Sequence, residues 1–178
     1  RRQAVDAPTQ LPRRAQLAPV LRGRLAEAAR HGLPFTLAFV ELDGHQAIVD
    51  RHGHGTGQRV LGAIASLLRA RFRLEDLRAR WAVPTFALGL TGSEAEAALP
   101  ALKRLAREAG GLRFQGSGGV RFGVRLSCGA ASVPGQADTL PALVLAAEER
   151  LRAAQAGGGG VRGPEAAPLP EADPATAS

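Results

Sequence analysis

The chain of 178 residues has one cysteine, one tryptophan, one lysine and no tyrosine or methionine. The single cysteine, Cys128, excludes an internal disulfide and a cysteine-based zinc site, so a reducing cytoplasm is the expected setting. Aromatic residues make up 4% of the chain, which is few for the stacking surfaces of single-stranded nucleic-acid binders. No apolar run reaches the ~20 residues of a membrane-spanning helix, and no signal-peptide pattern opens the chain.

Positive charge is carried almost entirely by arginine, since Lys103 is the sole lysine among 23 basic residues. The net charge of +7 raises the question of a nucleic-acid partner. The basic residues are scattered and have few aromatic neighbours, so we expect no nucleic-acid partner. Arginine nevertheless suits guanine edges and phosphates better than lysine does. The length and an apolar content of 45% predict one packed domain.

Apolar periodicity predicts an alternation of helices and strands around an antiparallel hairpin. This order indicates an α+β sandwich, with a central, mostly antiparallel sheet and helices packed on it. Ser93, followed three residues later by Glu96, has the spacing of a capping box at the start of the helix over 94–109. The predicted helices are 17–30, 44–50, 57–71, 94–109 and 140–156, and the predicted strands are 35–42, 77–81, 86–90 and 124–131.

Composition also predicts where the domain begins and ends. Residues 1–5 have the character of a linker from an upstream domain, and residues 6–162 form the domain itself. Proline, alanine and glutamate dominate residues 163–178, which predicts a disordered tail. Because the chain opens on arginine and lacks methionine, we expect it to be a segment of a longer protein.

One hairpin carries the most specific motif of the chain. Arg73 and Asp76 form an Arg-x-x-Asp pattern, and Arg80, Trp81 and Phe86 frame the turn that follows. This arrangement resembles the signature hairpin of the GGDEF family (diguanylate cyclases), in which Arg-x-x-Asp precedes Arg-aromatic-Gly-Gly-Asp/Glu-Glu-Phe.

Three further segments resemble the same family, in the right order and at the right spacing. They are Asp6–Arg14, similar to the Asp-x-Leu-Thr-Gly-Leu-Pro-Asn-Arg motif, the Gly53-His54-x-x-Gly57 element, and Leu126–Ala131, similar to a Ser-Ile-Gly-Val-Ala strand. The resemblance covers about residues 6–161 and implies the nucleotidyl-cyclase-like GGDEF fold.

The resemblance also locates the positions that would join two GTP molecules with two divalent metals. The first metal-binding carboxylate falls on Glu41, and the second falls on Pro84, which has no ligand atom. The next signature glutamate falls on Thr85. The two signature glycines, which let the backbone approach a triphosphate, fall on Ala82 and Val83. Pro84 also removes a backbone donor.

Substrate-binding positions of the family differ as well. The guanine-reading positions fall on Val49 and Gln58, and a phosphate-binding lysine falls on Gln46. Because metal, base and phosphate contacts are altered together, we predict a catalytically degenerate member that is not an enzyme. The same residues predict no metal site, no Mg²⁺ and no other cofactor.

The resemblance assigns a different role to Arg73 and Asp76, because in active family members this motif is the inhibitory site for the product, cyclic di-GMP. Arginine can donate to guanine O6 and N7 and pair with phosphate, while aspartate can accept from guanine N1 and N2. Counting forward places a third ligand-binding arginine of the family on Arg104.

These residues predict a non-catalytic cyclic di-GMP receptor that regulates an attached signalling protein through its upstream domains. A ligand shared between two domains would link a homodimer. The alternative is a protein-interaction or dimerisation module that binds no nucleotide.

Overall fold

The computed structural model describes residues 5–164, and its helices and strands form the predicted α+β sandwich. The helices of this part are α1 Arg14–His31, α2 His45–His52, α3 His54–Arg71, α4 Ala95–Gly111 and α5 Leu140–Ala156. The strands are β1 Phe35–Leu42, β2 Leu77–Ala82, β3 Thr85–Thr91, β4 Phe114–Gln115, β5 Arg121–Phe122, β6 Leu126–Val133 and β7 Gly160–Arg162.

The central sheet has five strands in the order β2-β3-β1-β6-β7. All neighbours pair antiparallel except β6 and β7, which are parallel. The register of β1 places Glu41 opposite Thr85 on β3 and opposite Ser127 on β6. The end of β1 therefore lies beside the β2–β3 hairpin.

The middle strand is buried on both faces, which explains its nearly continuous apolar run. Ala38, Val40 and Leu42 belong to a core cluster shared with α3 and α4. Phe35 and Phe39 point the opposite way, into a second cluster shared with α1 and α5. The sheet thus separates two hydrophobic cores, as a helix–sheet–helix sandwich requires.

The buried face of α3 follows the apolar spacing of its sequence. Val60, Leu61, Ile64 and Leu68 are buried against the sheet at i, i+1, i+4 and i+8. The helix begins at His54, three residues before the predicted start. Gly53, with φ 89° and ψ 162°, is not helical and separates α3 from α2 there.

The predicted cap of α4 is wrong, since the N-cap is Glu94 and its side chain makes no capping hydrogen bond. The carbonyl of Ser93 instead accepts a hydrogen bond from the Thr36 hydroxyl at 2.6 Å, which ties this loop to β1. The first-turn N–H of Ala95 donates to the hydroxyl of Ser132 on β6 at 3.1 Å. A tertiary contact therefore replaces the local capping box.

Three short strands were not predicted. β4 and β5 pair as a small hairpin, and β7 adds a parallel strand to the edge of the sheet. β7 begins at Gly160, the last residue of the glycine run that follows α5. Residues 1–4 of the predicted linker and 165–178 of the predicted tail lie outside the described residues, so the domain limits stay predictions. No helix within residues 5–164 combines the length and hydropathy needed to cross a bilayer.

Candidate functional site

Arg73 and Asp76 lie in the short connection between α3 and β2, and two hydrogen bonds join them. The carboxylate Oδ2 of Asp76 accepts from the backbone N–H of Arg73 at 2.9 Å. The backbone N–H of Asp76 donates to the carbonyl of Arg73 at 3.1 Å. This closed loop, called the Arg73–Asp76 turn below, holds both side chains at the same edge of the domain.

A second arginine, Arg78, binds the backbone carbonyls of this turn. Nη1 of Arg78 donates to the carbonyls of Phe72 and Arg73 at 3.3 and 2.9 Å, and Nη2 donates to the carbonyl of Leu74 at 3.4 Å. Arg78 is half-buried at the start of β2, so its guanidinium is anchored to the sheet. No side-chain pattern in the sequence indicates this role, because all three acceptors are backbone atoms.

Arg73 and Asp76 line a depression of about 250 Å³ between the end of β3 and the first turns of α4. Ala97 and Ala101 of α4 form part of its wall, and their small side chains leave it open. Pockets that enclose small molecules measure roughly 300–1,000 Å³. A dinucleotide would therefore lie across this depression rather than inside it.

Arg104 is exposed on α4 and does not line the same depression. It borders a separate one together with Lys103 and Arg107. Residues three apart are neighbours on a helix surface, so Arg104 lies one turn beyond Ala101 on that side of α4. The fold thus brings Arg73 and Asp76 together, and it places the predicted third member at a neighbouring surface.

The signature-like hairpin borders a different depression, of about 530 Å³, lined by Glu41, Gln46, Val83 and Pro84 among others. The Glu41 carboxylate accepts two hydrogen bonds there. Oε1 accepts from the hydroxyl of Thr85 at 2.6 Å, and Oε2 accepts from the side-chain amide of Gln155 at the end of α5. Sequence reasoning missed Gln155, because 114 residues separate it from Glu41.

The hairpin turn is tighter than the predicted four-residue turn over 82–85. β2 extends to Ala82 and β3 begins at Thr85, so only Val83 and Pro84 connect them. Val83 is 64% exposed. The carbonyl of Pro84 accepts from the N–H of Leu42 at 3.2 Å, which closes the hairpin onto the end of β1.

Val49 and Gln58 do not line the Glu41 depression. Gln58 is exposed on α3, and Val49 of α2 packs where α2 approaches Gly57. A Cβ on Gly57 would lie 2.8 Å from Cγ2 of Val49 and 3.2 Å from Nε2 of His45, so this approach needs glycine. Burial, together with the charges of Arg80 and His54, lowers the pKa of His45.

The carboxylates near the hairpin are already engaged. Both oxygens of Glu41 accept hydrogen bonds, and Oδ2 of Asp43 accepts from Arg125 at 3.1 Å and from the Ser127 hydroxyl at 2.7 Å. Within residues 5–164 no group of three or more His, Cys, Asp or Glu side chains could hold a metal ion. A two-metal centre uses several carboxylate oxygens, and the carboxylates of Glu41 and Asp43 alone do not fit one. The predicted absence of metal stays a prediction.

Comparison with known proteins assigns the family. The family described as "Diguanylate cyclase, GGDEF domain" matches residues 3–160, and the chain belongs to it. It is 37% identical over 100 residues to diguanylate cyclase DgcP of Pseudomonas aeruginosa, covering 56% of this chain and 15% of that protein. It is 32% identical over 149 residues to the bifunctional diguanylate cyclase/cyclic di-GMP phosphodiesterase MucR of the same species, covering 82% and 21%. The chain therefore spans less than a quarter of the length of these two relatives.

Solved structures agree with this assignment. The GGDEF domain of DgcB from Caulobacter crescentus, in complex with cyclic di-GMP, superposes with a TM-score of 0.86 over 93% of this chain and 96% of that one. At 24% identity, this likeness shows the fold alone. The GGDEF domain of TpbB from Pseudomonas aeruginosa superposes with a TM-score of 0.83 at 30% identity, covering 91% and 95%.

The prediction that this chain is not an enzyme is contradicted by its relatives. DgcP, TpbB and DosC are named diguanylate cyclases, and MucR is named for both cyclase and phosphodiesterase activity. The prediction equated altered metal, base and phosphate positions with lost activity. However, the hairpin still borders a depression that contains the Glu41 carboxylate, so the altered turn does not by itself place the domain outside a family of enzymes.

Proposed function

We propose that this GGDEF domain binds cyclic di-GMP at the Arg73–Asp76 turn and acts as its receptor within a longer signalling protein. The observation that carries the proposal is the pair of hydrogen bonds between Arg73 and Asp76. These bonds use backbone groups of Arg73 and one carboxylate oxygen of Asp76. The parts of both side chains that read guanine are left for a ligand.

The free groups match the edges of guanine. Within residues 5–164 the Arg73 guanidinium forms no hydrogen bond or ion pair with protein, and Oδ1 of Asp76 accepts none. A guanidinium can donate to guanine O6 and N7, and a carboxylate oxygen can accept from N1 or N2. The two side chains therefore suit one guanine base or two stacked ones.

The surrounding charge suits a dianionic ligand. Arg71 borders the same depression, and Arg78 lies directly beneath the turn. Arg71 forms an ion pair with Glu108 at 2.6 Å, which partly neutralises its charge. Arg73 forms no ion pair within residues 5–164, so its charge is available to a ligand. We include Arg104 as a third contact, reached by a ligand that extends from the depression along α4.

The receptor role concerns the rest of the polypeptide. The matched relatives are several times longer than this domain, so a ligand bound here would act on attached domains by favouring the conformation that binds it best. A ligand shared between two copies would link a homodimer. The proposed compartment remains the cytoplasm, which agrees with the buried free thiol of Cys128.

Calorimetry with cyclic di-GMP tests this function on the wild-type domain and on Arg73→Ala. The variant removes a charge-assisted contact to the ligand, which predicts a loss of affinity of about tenfold or more. Arg30→Ala is the matched control, because Arg30 is an exposed arginine on α1 that does not line the depression. Its affinity should equal that of the wild type.

Two results would refute the proposal. Wild-type domain that releases no heat at saturating cyclic di-GMP would favour the interaction module that binds no nucleotide. Equal affinity of wild type and Arg73→Ala would place the ligand elsewhere. Pyrophosphate release from GTP with Mg²⁺, measured on the same samples, reports cyclase activity separately from binding.

A further inference from the structure

A second basic surface lies on the side of the sheet covered by α4, and Arg125 stands at its centre. Two depressions, of about 830 and 620 Å³, both include Arg125 in their lining. Arg113 and Arg121 of the β4–β5 region line the larger one. Lys103 and Arg107 of α4 line the smaller one, beside β7.

Arg125 is held in place by its neighbours. Its Nε donates to Oδ2 of Asp43 at 3.1 Å, and its aliphatic chain occupies the space that a side chain on Gly159 would fill. Gly159 also has φ 104°, a conformation that residues with a Cβ rarely adopt. The Arg125 side chain is 63% exposed, and its Nη groups donate to no acceptor within residues 5–164.

Little negative charge balances this surface. Asp43 is the sole acidic residue that lines either depression in the described part of the chain, and it is already bonded to Arg125 and Ser127. Lys103, Arg107 and Arg121 form no ion pair within residues 5–164. Lys103 and Arg107 are four residues apart on α4, and like charges at this spacing repel each other along the helix.

We infer that these two depressions form a binding site for a small ligand carrying two or more linked phosphate groups. Guanidinium groups bind phosphate through paired, charge-assisted hydrogen bonds, and cations on both sides of Arg125 can each take one phosphate. The one aromatic side chain in the lining, Phe122, is stacked on His52 at 4.5 Å, so it is not free to stack on bases. A small oligophosphate therefore fits better than a single-stranded nucleic acid.

The site differs from the one proposed for cyclic di-GMP. It uses Lys103, Arg107 and Arg125, and it needs neither Arg73 nor Asp76. Arg104, the third contact proposed for cyclic di-GMP, borders the smaller depression, so the test below leaves Arg104 unchanged. A failure of cyclic di-GMP binding at Arg73 and Asp76 therefore leaves this inference intact.

Titration calorimetry with inorganic triphosphate, without divalent metal, tests the site directly. Wild-type domain should bind it, and the affinity should weaken as salt rises, because the contacts are ionic. Arg107→Gln/Arg125→Gln should weaken binding by about tenfold or more. Arg30→Gln/Arg152→Gln loses the same two charges from exposed positions on α1 and α5 and should bind as the wild type does.

Three outcomes would overturn the inference. Wild-type domain that does not bind triphosphate at millimolar concentration lacks the site. An equal loss in both double variants would mean that net charge alone attracts the anion. Binding of a single-stranded DNA oligonucleotide that triphosphate cannot displace would identify a nucleic-acid surface instead.

Discussion

The hydroxyl of Thr85 donates a hydrogen bond to the carboxylate of Glu41 across the β1–β3 pair, with 2.6 Å between the two oxygens. Thr85 is buried and Glu41 is half-buried, so water does not easily replace this bond. The bond joins the hairpin turn to the end of β1, which are the two elements that border the hairpin depression.

Thr85→Val should therefore lower the free energy of unfolding by about 1–2 kcal/mol, because a hydrogen bond to a charged group is lost. Chemical denaturation measures this change. In a Glu41→Gln background the same substitution should cost less, since its acceptor is no longer charged. Equal costs in the two backgrounds would mean that the hydroxyl does not stabilise the carboxylate.

Arg78→Gln should loosen the Arg73–Asp76 turn, because the guanidinium that donates to three backbone carbonyls is removed. Faster hydrogen exchange at the Asp76 amide, whose bond to the Arg73 carbonyl closes the turn, measures this effect. If the turn binds cyclic di-GMP, the affinity should also fall while the cores stay folded. Arg78→Lys keeps the charge but lacks the several N–H donors of a guanidinium. If the Asp76 amide of this variant exchanged as slowly as in the wild type, the role of the guanidinium would be contradicted.

The stability of the domain should fall on acidification below pH 6.5, with a contribution from His45. Burial, with the charges of Arg80 and His54, holds the pKa of His45 below its ordinary value of 6.5. Between the lowered value and 6.5 the unfolded chain binds more protons than the folded one, so acid favours unfolding there. Denaturation of wild type and His45→Gln between pH 7.5 and 5 should show a weaker pH dependence in the variant. Parallel profiles would exclude His45 as a source.

Gly129→Ala should destabilise the domain by about 1–3 kcal/mol or more, because α5 crosses β6 at this glycine. A Cβ there would overlap the backbone N of Leu151 and the backbone carbonyl of Ala147, which belong to a helix and cannot turn aside. Thermal denaturation measures the loss. Gly23→Ala is the control, because a Cβ at that position meets no atom within 4 Å. A melting temperature of Gly129→Ala equal to that of the control would contradict this packing.

Cys128 should be unreactive in the folded domain. Complete burial, together with the nearby Asp43, raises the pKa of the thiol to about 12, and only the thiolate is nucleophilic. A thiol reagent should therefore modify Cys128 of the folded domain only as fast as the domain unfolds. In denaturant the reaction should be as fast as with a free cysteine. Rapid modification under native conditions would show that β6 opens readily.

Local patterns in the sequence predicted the elements whose causes are local. The strand over 35–42 and a helix over most of α3 were predicted from apolar periodicity, because burial on these elements repeats with the geometry of strand and helix. The predicted bounds of α5 agree with the structure at both ends, where Thr139 caps the first turn and glycines follow the last. The pairing of Arg73 with Asp76 is equally local, since three residues separate them.

The sequence by itself thus determined the fold class, the family motifs and the place of the Arg73–Asp76 turn. Only the tertiary structure decided which distant groups meet. It joined Gln155 to Glu41, replaced the expected Ser93 cap with a bond from Ala95 to Ser132, and added β7 to the sheet edge. It also placed Arg104 beside a different depression from Arg73. These contacts depend on how helices pack across the sheet, and local sequence patterns do not specify that packing.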